Sequence, residues 1–186
     1  MNNKNGRVYI RILDVSDTDD MLNHMLRNRE LFEGVSPKRC ESVYTKEVQE
    51  KGIENGIKQR EEDKRYAFGI FLTETDQLIG DISLFEVQRG PHQKCILGYS
   101  MDQAHNGKGY MTEAIQLIMK FAFEEIGLQR VEAGVMPRNV GSMRVLEKAG
   151  FRQEGLARKL LEINGVREDH VLFAMLAEDY LDRVKE

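Results

Sequence analysis

The order of apolar and polar positions along the chain divides it into short strand and helix segments with one change of habit near the middle. Residues 8–13, Val-Tyr-Ile-Arg-Ile-Leu, alternate as a half-buried strand does, and residues 14–17 then supply turn and capping oxygens for a helix over 19–28. Residues 33–41, with Gly34 and Pro37, show no period and are expected to be irregular. A second helix is expected over 44–62 from its charge pattern and from Val48, Ile53 and Ile57. Gly52 and Gly56 each cost about 1 kcal/mol relative to alanine there, so a bend or movement is expected. Segments 66–73 and 78–87 are apolar, rich in β-formers and separated by a short polar turn; a third strand over 94–101 follows the Gly90-Pro91 turn. Three strands joined this way predict an antiparallel meander.

After Met101 the period changes from strand to helix. Residues 102–109 are polar, and residues 110–126 place Met111, Ile115, Ile118, Met119, Ala122 and Ile126 on one helical face, ended by Gly127. A short strand over 130–135 completes a strand, helix, strand crossover, and such a crossover joins parallel strands. A helix over 139–149 is capped by Asn139 and stopped by Gly150. Strands over 152–163 and 167–177 flank Asn164-Gly165, a strong hairpin signal, and residues 178–185 suit a last helical turn. Without repeats, linkers or low-complexity tracts, one α+β domain over 1–186 with a mixed sheet is the economical assembly.

Composition narrows the class. A chain of 186 residues can bury one core without disulfide or metal staples, and no apolar run approaches the roughly 20 residues that span a bilayer. The polar start, residues 1–7, does not read as a signal peptide, so a cytoplasmic location and no membrane partner are expected. Cys40 and Cys95 lack Cys-x-x-Cys spacing and are expected to be reduced thiols; His24, His105 and His170 lack ligand spacing, so no metal is expected. A net charge of −4, from 27 basic and 31 acidic residues, gives no cationic footprint for direct nucleic-acid binding.

Candidate chemistry concentrates at the start of the long helix. Gly107 and Gly109 let successive backbone N–H groups converge without Cβ interference, and a helix N-terminus adds partial positive charge. That is an anion site suited to a diphosphate, with Lys108 adding a full charge nearby. The same spacing also serves as a plain entry turn. The Walker pattern is absent, and Thr112 stands where a dinucleotide fingerprint needs its third glycine.

The run from Leu97 to Phe151 resembles the GCN5-related N-acetyltransferases (GNAT), and within them the ribosomal-protein-alanine branch. The resemblance is carried by Val87-Gln88-Arg89-Gly90, Leu97-Gly98-Tyr99-Ser100, Gly107-Lys108-Gly109-Tyr110-Met111-Thr112-Glu113-Ala114 and Met136-Pro137-Arg138-Asn139-Val140-Gly141-Ser142. Lys148-Ala149-Gly150-Phe151 with Glu154-Gly155, and Asn164-Gly165 with Asp169-His170-Val171-Leu172, extend it. It implies a seven-stranded, mostly antiparallel mixed sheet flanked by helices, with the parallel crossover at the cofactor site. It implies acetyl-CoA as cofactor and CoA as product, with the diphosphate on the amides of Gly107 to Thr112 and Asn106 at the start of the signature. Backbone groups of Tyr99, Ser100 and Met101 would hold the pantetheine arm, Asn139 would bond it, and Ser142 would lie near the thioester sulfur. Asn139 and Ser142 also fit plain roles in the first turn of a helix.

Several positions depart from the family's pattern. Asn106 replaces glutamine or arginine, Met111 a residue that is often small, Leu146 a tyrosine that protonates the leaving thiolate, and Ile96 a glutamate base. Protonation of the thiolate would fall to Ser142, and Tyr99, Glu86 and His92 are candidate acceptors for a proton leaving through water. An α-amine of pKa about 7.7 to 8.0 is roughly 10 to 20% neutral at pH 7, against well under 0.1% for lysine, so an N-terminal acceptor needs little help. The expected activity is transfer to a protein or peptide N-terminus by direct attack in a ternary complex. Rival readings are transfer to a small amine such as an antibiotic or polyamine, a non-catalytic CoA sensor, and a nucleotide-dependent oxidoreductase. A homodimer is compatible with all of these. The acceptor wall would come from residues 33–62 and the Asn164-Gly165 hairpin.

Overall fold

The computed structural model describes residues 6–35 and 40–185. Residues 1–5 of the polar start and 36–39 of the expected irregular stretch lie outside the described residues. Seven strands form one sheet: β1 (Val8–Ile12), β2 (Tyr66–Leu72), β3 (Leu78–Gln88), β4 (Lys94–Met101), β5 (Arg130–Val135), β6 (Arg152–Ile163) and β7 (Val166–Leu176). Their order across the sheet is β1-β2-β3-β4-β5-β7-β6. Every pairing is antiparallel except β4 with β5, as expected for strands joined by a helical crossover.

The helices are α1 (Thr18–Arg27), α2 (Arg29–Val35), α3 (Lys46–Glu61), α4 (Tyr110–Lys120), α5 (Val140–Ala149) and α6 (Ala177–Lys185). Strand alternation sends Ile10, Phe68, Ile70, Ile82, Leu84 and Leu97 to one face, where they bury against Ala114, Ile115 and Ile118 of α4 and Leu146 of α5. Each of the larger of these side chains contributes about 1.5–3 kcal/mol by leaving water. The opposite face carries a smaller cluster, Tyr9, Leu13, Phe71 and Leu78 with Met21 of α1 and Ile53 of α3. That lighter cover leaves α1, α2 and the β6-β7 hairpin to frame one end of the sheet.

Three local expectations are corrected. Part of the stretch expected to be irregular is the end of α2, whose seven residues follow α1 after a single break at Asn28. The second helix begins at Lys46 because Glu41–Tyr44 forms a 3-10 turn first, and it runs unbroken past Gly52, where a Cβ would meet nothing within 4 Å. The long helix ends at Lys120 and continues as a π turn, Phe121–Glu125, with the Ile126 amide donating to the Phe121 carbonyl at 3.0 Å. Widening this turn allows Phe121 and Ala122 both to bury, Phe121 edge-on against Tyr66 and Phe68. Among the described residues no helix is long and apolar enough to cross a membrane.

Candidate active site

The site exists because β4 and β5 stop pairing. Their ladder covers only Lys94–Arg130, Cys95–Val131 and Ile96–Glu132. Beyond it β4 stays bonded to β3 as far as Met101, and β5 to β7 as far as Val135, so the two strands part. A narrow cavity of about 200 Å³ lies in the gap, lined by Gly98, Tyr99, Ala133, Gly134, Ser142 and His170 among others. It adjoins a wider cleft of about 490 Å³ whose walls are Tyr99–Met101, the start of α4 and one face of α5. Tyr99, Ser100, Asn139 and Ser142 line both spaces.

At the wide end, Gly107 and Gly109 adopt φ of +75° and +83°, a left-handed conformation that strains any other residue. Gly109 is the N-cap of α4, and the first helical bond runs from the Glu113 amide to the Gly109 carbonyl at 3.2 Å. The amides of Gly107, Lys108, Gly109, Tyr110, Met111 and Thr112 therefore find no acceptor among the described residues. Such a run of amides at the positive end of a helix dipole has the backbone geometry that the Gly-x-Gly spacing suggested, one able to hold an anion. The cleft lining passes through Asn106, Gly107, Gly109, Tyr110, Met111 and Thr112 but not the exposed side chain of Lys108.

Sequence reasoning missed what holds this loop and what else charges it. Arg7 donates from Nη1 to the Lys108 carbonyl at 2.9 Å and pairs with Glu113 at 3.2 Å. Glu113 Oε1 in turn accepts from the amides of Arg7 and Val8, at 2.7 and 3.2 Å, tying the start of α4 to β1. Arg144 and Lys148, one turn apart on α5, line the cleft opposite. Their i, i+4 spacing was visible, but only the packing of α5 beside α4 assigns that face to the cleft.

Where cleft and cavity meet, Tyr99 Oη lies 2.7 Å from Ser142 Oγ and 3.3 Å from the Ser142 carbonyl oxygen, the shorter contact being with the hydroxyl. Burial pushes the Tyr99 phenol up to about 12, so it keeps its proton at neutral pH. Asn139 caps α5, its Oδ1 accepting from the Ser142 amide at 3.2 Å. The expected cap is thus present, and Asn139 also lines the cleft. Leu146 is fully buried and lies away from the cleft lining. Glu86, on the bulge of β3, and His92, exposed in the β3-β4 turn, line neither space.

Ser100 faces the opposite side of β4 and joins a buried polar chain that the sequence did not signal. Its hydroxyl donates to Asp81 Oδ1, and His24 Nε2 lies 3.2 Å from its Oγ. Asn28 orients that imidazole. The Gln103 amide donates to Asn28 Oδ1 at 2.9 Å, which turns Asn28 Nδ2 toward the His24 carbonyl, at 2.9 Å, and Nδ1, at 3.4 Å. The ring hydrogen is thereby assigned to Nε2, facing Ser100. Five residues, from α1, the break after it, β3, β4 and the turn that follows β4, thus fix the β4 backbone along which the cleft runs. On the far rim, Asn164 Nδ2 donates to the Glu33 carbonyl, joining the β6-β7 hairpin to α2 beside the narrow cavity.

Comparison with known proteins gives the site its context. A family model described as an acetyltransferase (GNAT) domain matches residues 7–152. The probable N-acetyltransferase YjcK of Bacillus subtilis is 51% identical over 95% of this chain and 97% of that protein. A ribosomal-protein-S5-alanine acetyltransferase from Vibrio fischeri superposes with a TM-score of 0.89 at 30% identity, covering 94% of this chain and 96% of that one. Mycobacterium smegmatis RimJ in complex with CoA-disulfide superposes with a TM-score of 0.88 at 24% identity, over 96% and 88% of the two chains.

Proposed function

Because the chain belongs to the GNAT acetyltransferase family and is an N-acetyltransferase, we propose that it uses acetyl-CoA to acetylate the N-terminal α-amine of a protein, of the ribosomal-protein-alanine type. The observation that carries the cofactor reading is the run of acceptor-less amides from Gly107 to Thr112 at the mouth of a cleft that leads to Tyr99 and Ser142. Six donors at a helix N-terminus fit a diphosphate, and Arg144 and Lys148 supply further positive charge along the same cleft. Acetyl-CoA supplies an activated acetyl group as a thioester. The extended backbone of Tyr99 to Met101 suits an amide-containing arm laid beside β4.

The side chains then divide the proton work. Tyr99, held protonated, donates to Ser142 Oγ, which turns the serine hydrogen into the cleft where a departing sulfur would need it. An α-amine arrives partly neutral, so positioning in the narrow cavity and polarisation by backbone donors carry much of the rate. Ribosomal proteins, as acceptors, would place the enzyme in the cytoplasm.

The test is a mass-spectrometric screen with acetyl-CoA of peptides with N-terminal alanine, the same peptides with blocked N-termini, and free polyamines and aminoglycosides. A single acetyl group on the unblocked alanine peptides is expected. Acetylation confined to small amines would replace the acceptor assignment, and absence of acetylated product from every amine tested would leave only coenzyme binding.

A further inference from the structure

We infer that His170 is the proton acceptor for the attacking amine, an inference that rests on the transfer reaction proposed above. Among the described residues that line the narrow cavity, only Tyr99 and His170 carry a phenol or an imidazole, side chains built to exchange a proton. Tyr99 is held in its protonated form by burial and already serves Ser142. That leaves the imidazole.

The geometry fixes which nitrogen acts. His170 stands on β7, 4% exposed, with its ring over Gly134 of β5; a Cβ built on Gly134 would touch its Cβ and Cδ2 at 3.7 Å. Its Nδ1 lies 3.1 Å from the Glu168 carbonyl oxygen. A carbonyl can only accept, so Nδ1 carries the hydrogen, and the neutral ring presents a lone pair at Nε2. Glu168 is itself anchored by Arg138 at 2.7 Å, which steadies the segment that holds Nδ1. A cavity of about 200 Å³ accommodates a small amine and a few waters, and an amine seated there would meet the His170 ring directly or through one water.

The step balances without any further reagent. The amine lone pair forms the new C–N bond, and one N–H proton passes to His170 Nε2. The C–S bond breaks, the sulfur takes a hydrogen from Ser142 Oγ, and that hydroxyl is restored from water while the imidazolium returns its proton to water. Histidine here replaces the glutamate base whose place on β4 is held by Ile96, approaching the amine from β7 instead.

The experiment uses acetyl-CoA and an alanine-initiated peptide with the wild type, His170→Ala and His170→Gln. Both variants are expected to bind acetyl-CoA within about twofold of the wild type by calorimetry while kcat falls roughly 100-fold. Added imidazole should restore about a tenth or more of the lost rate to His170→Ala and none to His170→Gln, whose side chain fills the space. Nitrogen-15 NMR of the ring should show the neutral form protonated at Nδ1. Unchanged kcat, absence of imidazole rescue, a ring protonated at Nε2, or loss of acetyl-CoA affinity in both variants would each overturn the inference. A wild type that binds acetyl-CoA yet acetylates no amine would instead overturn the proposed function, and this inference with it.

Discussion

Ser142 and Gly109 separate two demands on the site, chemistry and grip, and each demand can be removed alone. Ser142 presents a hydroxyl whose one hydrogen-bonded side chain among the described residues is Tyr99, at 2.7 Å, so Ser142→Ala should lower kcat by about 10- to 100-fold and leave acetyl-CoA affinity nearly unchanged. Gly109→Val should do the reverse at the binding step. Its φ of +83° costs a β-branched residue about 1–3 kcal/mol, and the new Cβ would sit 3.2 Å from Arg7 Nη2, so the nest distorts and calorimetry should show affinity lost in a protein that still melts cooperatively. Equal kcat in Ser142→Ala would reduce the serine to a first-turn residue, and unchanged affinity in Gly109→Val would remove the nest. Much of this site was legible because glycine spacing, Asn139 and Ser142 carry chemistry in their identity. Arg7, His24, Asp81 and His170 were not, because each reaches the site across a long stretch of chain and only the sheet brings them together.

At the scale of elements, strands and turns were easier to read than helices that are short or end unusually. The strands over 66–73 and 94–101 and the Asn164-Gly165 turn, with φ of 52° and 79°, follow directly from alternation and turn chemistry. Helix α2 has too few turns for a period to emerge, and the π turn after Lys120 preserves the hydrophobic face that signals an ordinary helix, so neither announces itself. The junction between α3, β2 and the end of that π turn is held by charge. Arg89 pairs with Asp63 at 2.6 Å and donates to the Ile126 carbonyl at 2.7 Å, and its guanidinium holds the Asp63 carboxyl below the usual carboxylate range. A depressed folded value means that the stabilisation is complete above the unfolded carboxylate pKa of about 3.9 and is lost as pH falls through the folded value. This pair should therefore contribute fully above about pH 5 and lose its contribution below about 4, so Arg89→Ala should make the acid-side fall of thermal melts slightly shallower than in the wild type. Both groups are more than a third exposed, so the effect at neutral pH is modest, about 1 kcal/mol or less. An acid-side fall of the same depth in Arg89→Ala would assign it to other carboxylates.

For the whole molecule, the order β1-β2-β3-β4-β5-β7-β6 sets where chemistry can occur: one parallel pair in an otherwise antiparallel sheet parts after three residue pairs. The crossover was readable from the sequence, and so was the parallel pair. The size of the gap and the histidine that enters it were not, because they depend on how β5 and β7 pair. The separation opens a path from the amides of Gly107 to Thr112, past Tyr99 and Ser142, into the narrow cavity that His170 lines. The most direct test of that path is a crystal structure with acetyl-CoA bound. Electron density should place the pyrophosphate within hydrogen-bonding distance of those amides and the sulfur beside Ser142 Oγ; a pyrophosphate elsewhere, with the amides facing only water, would contradict the account.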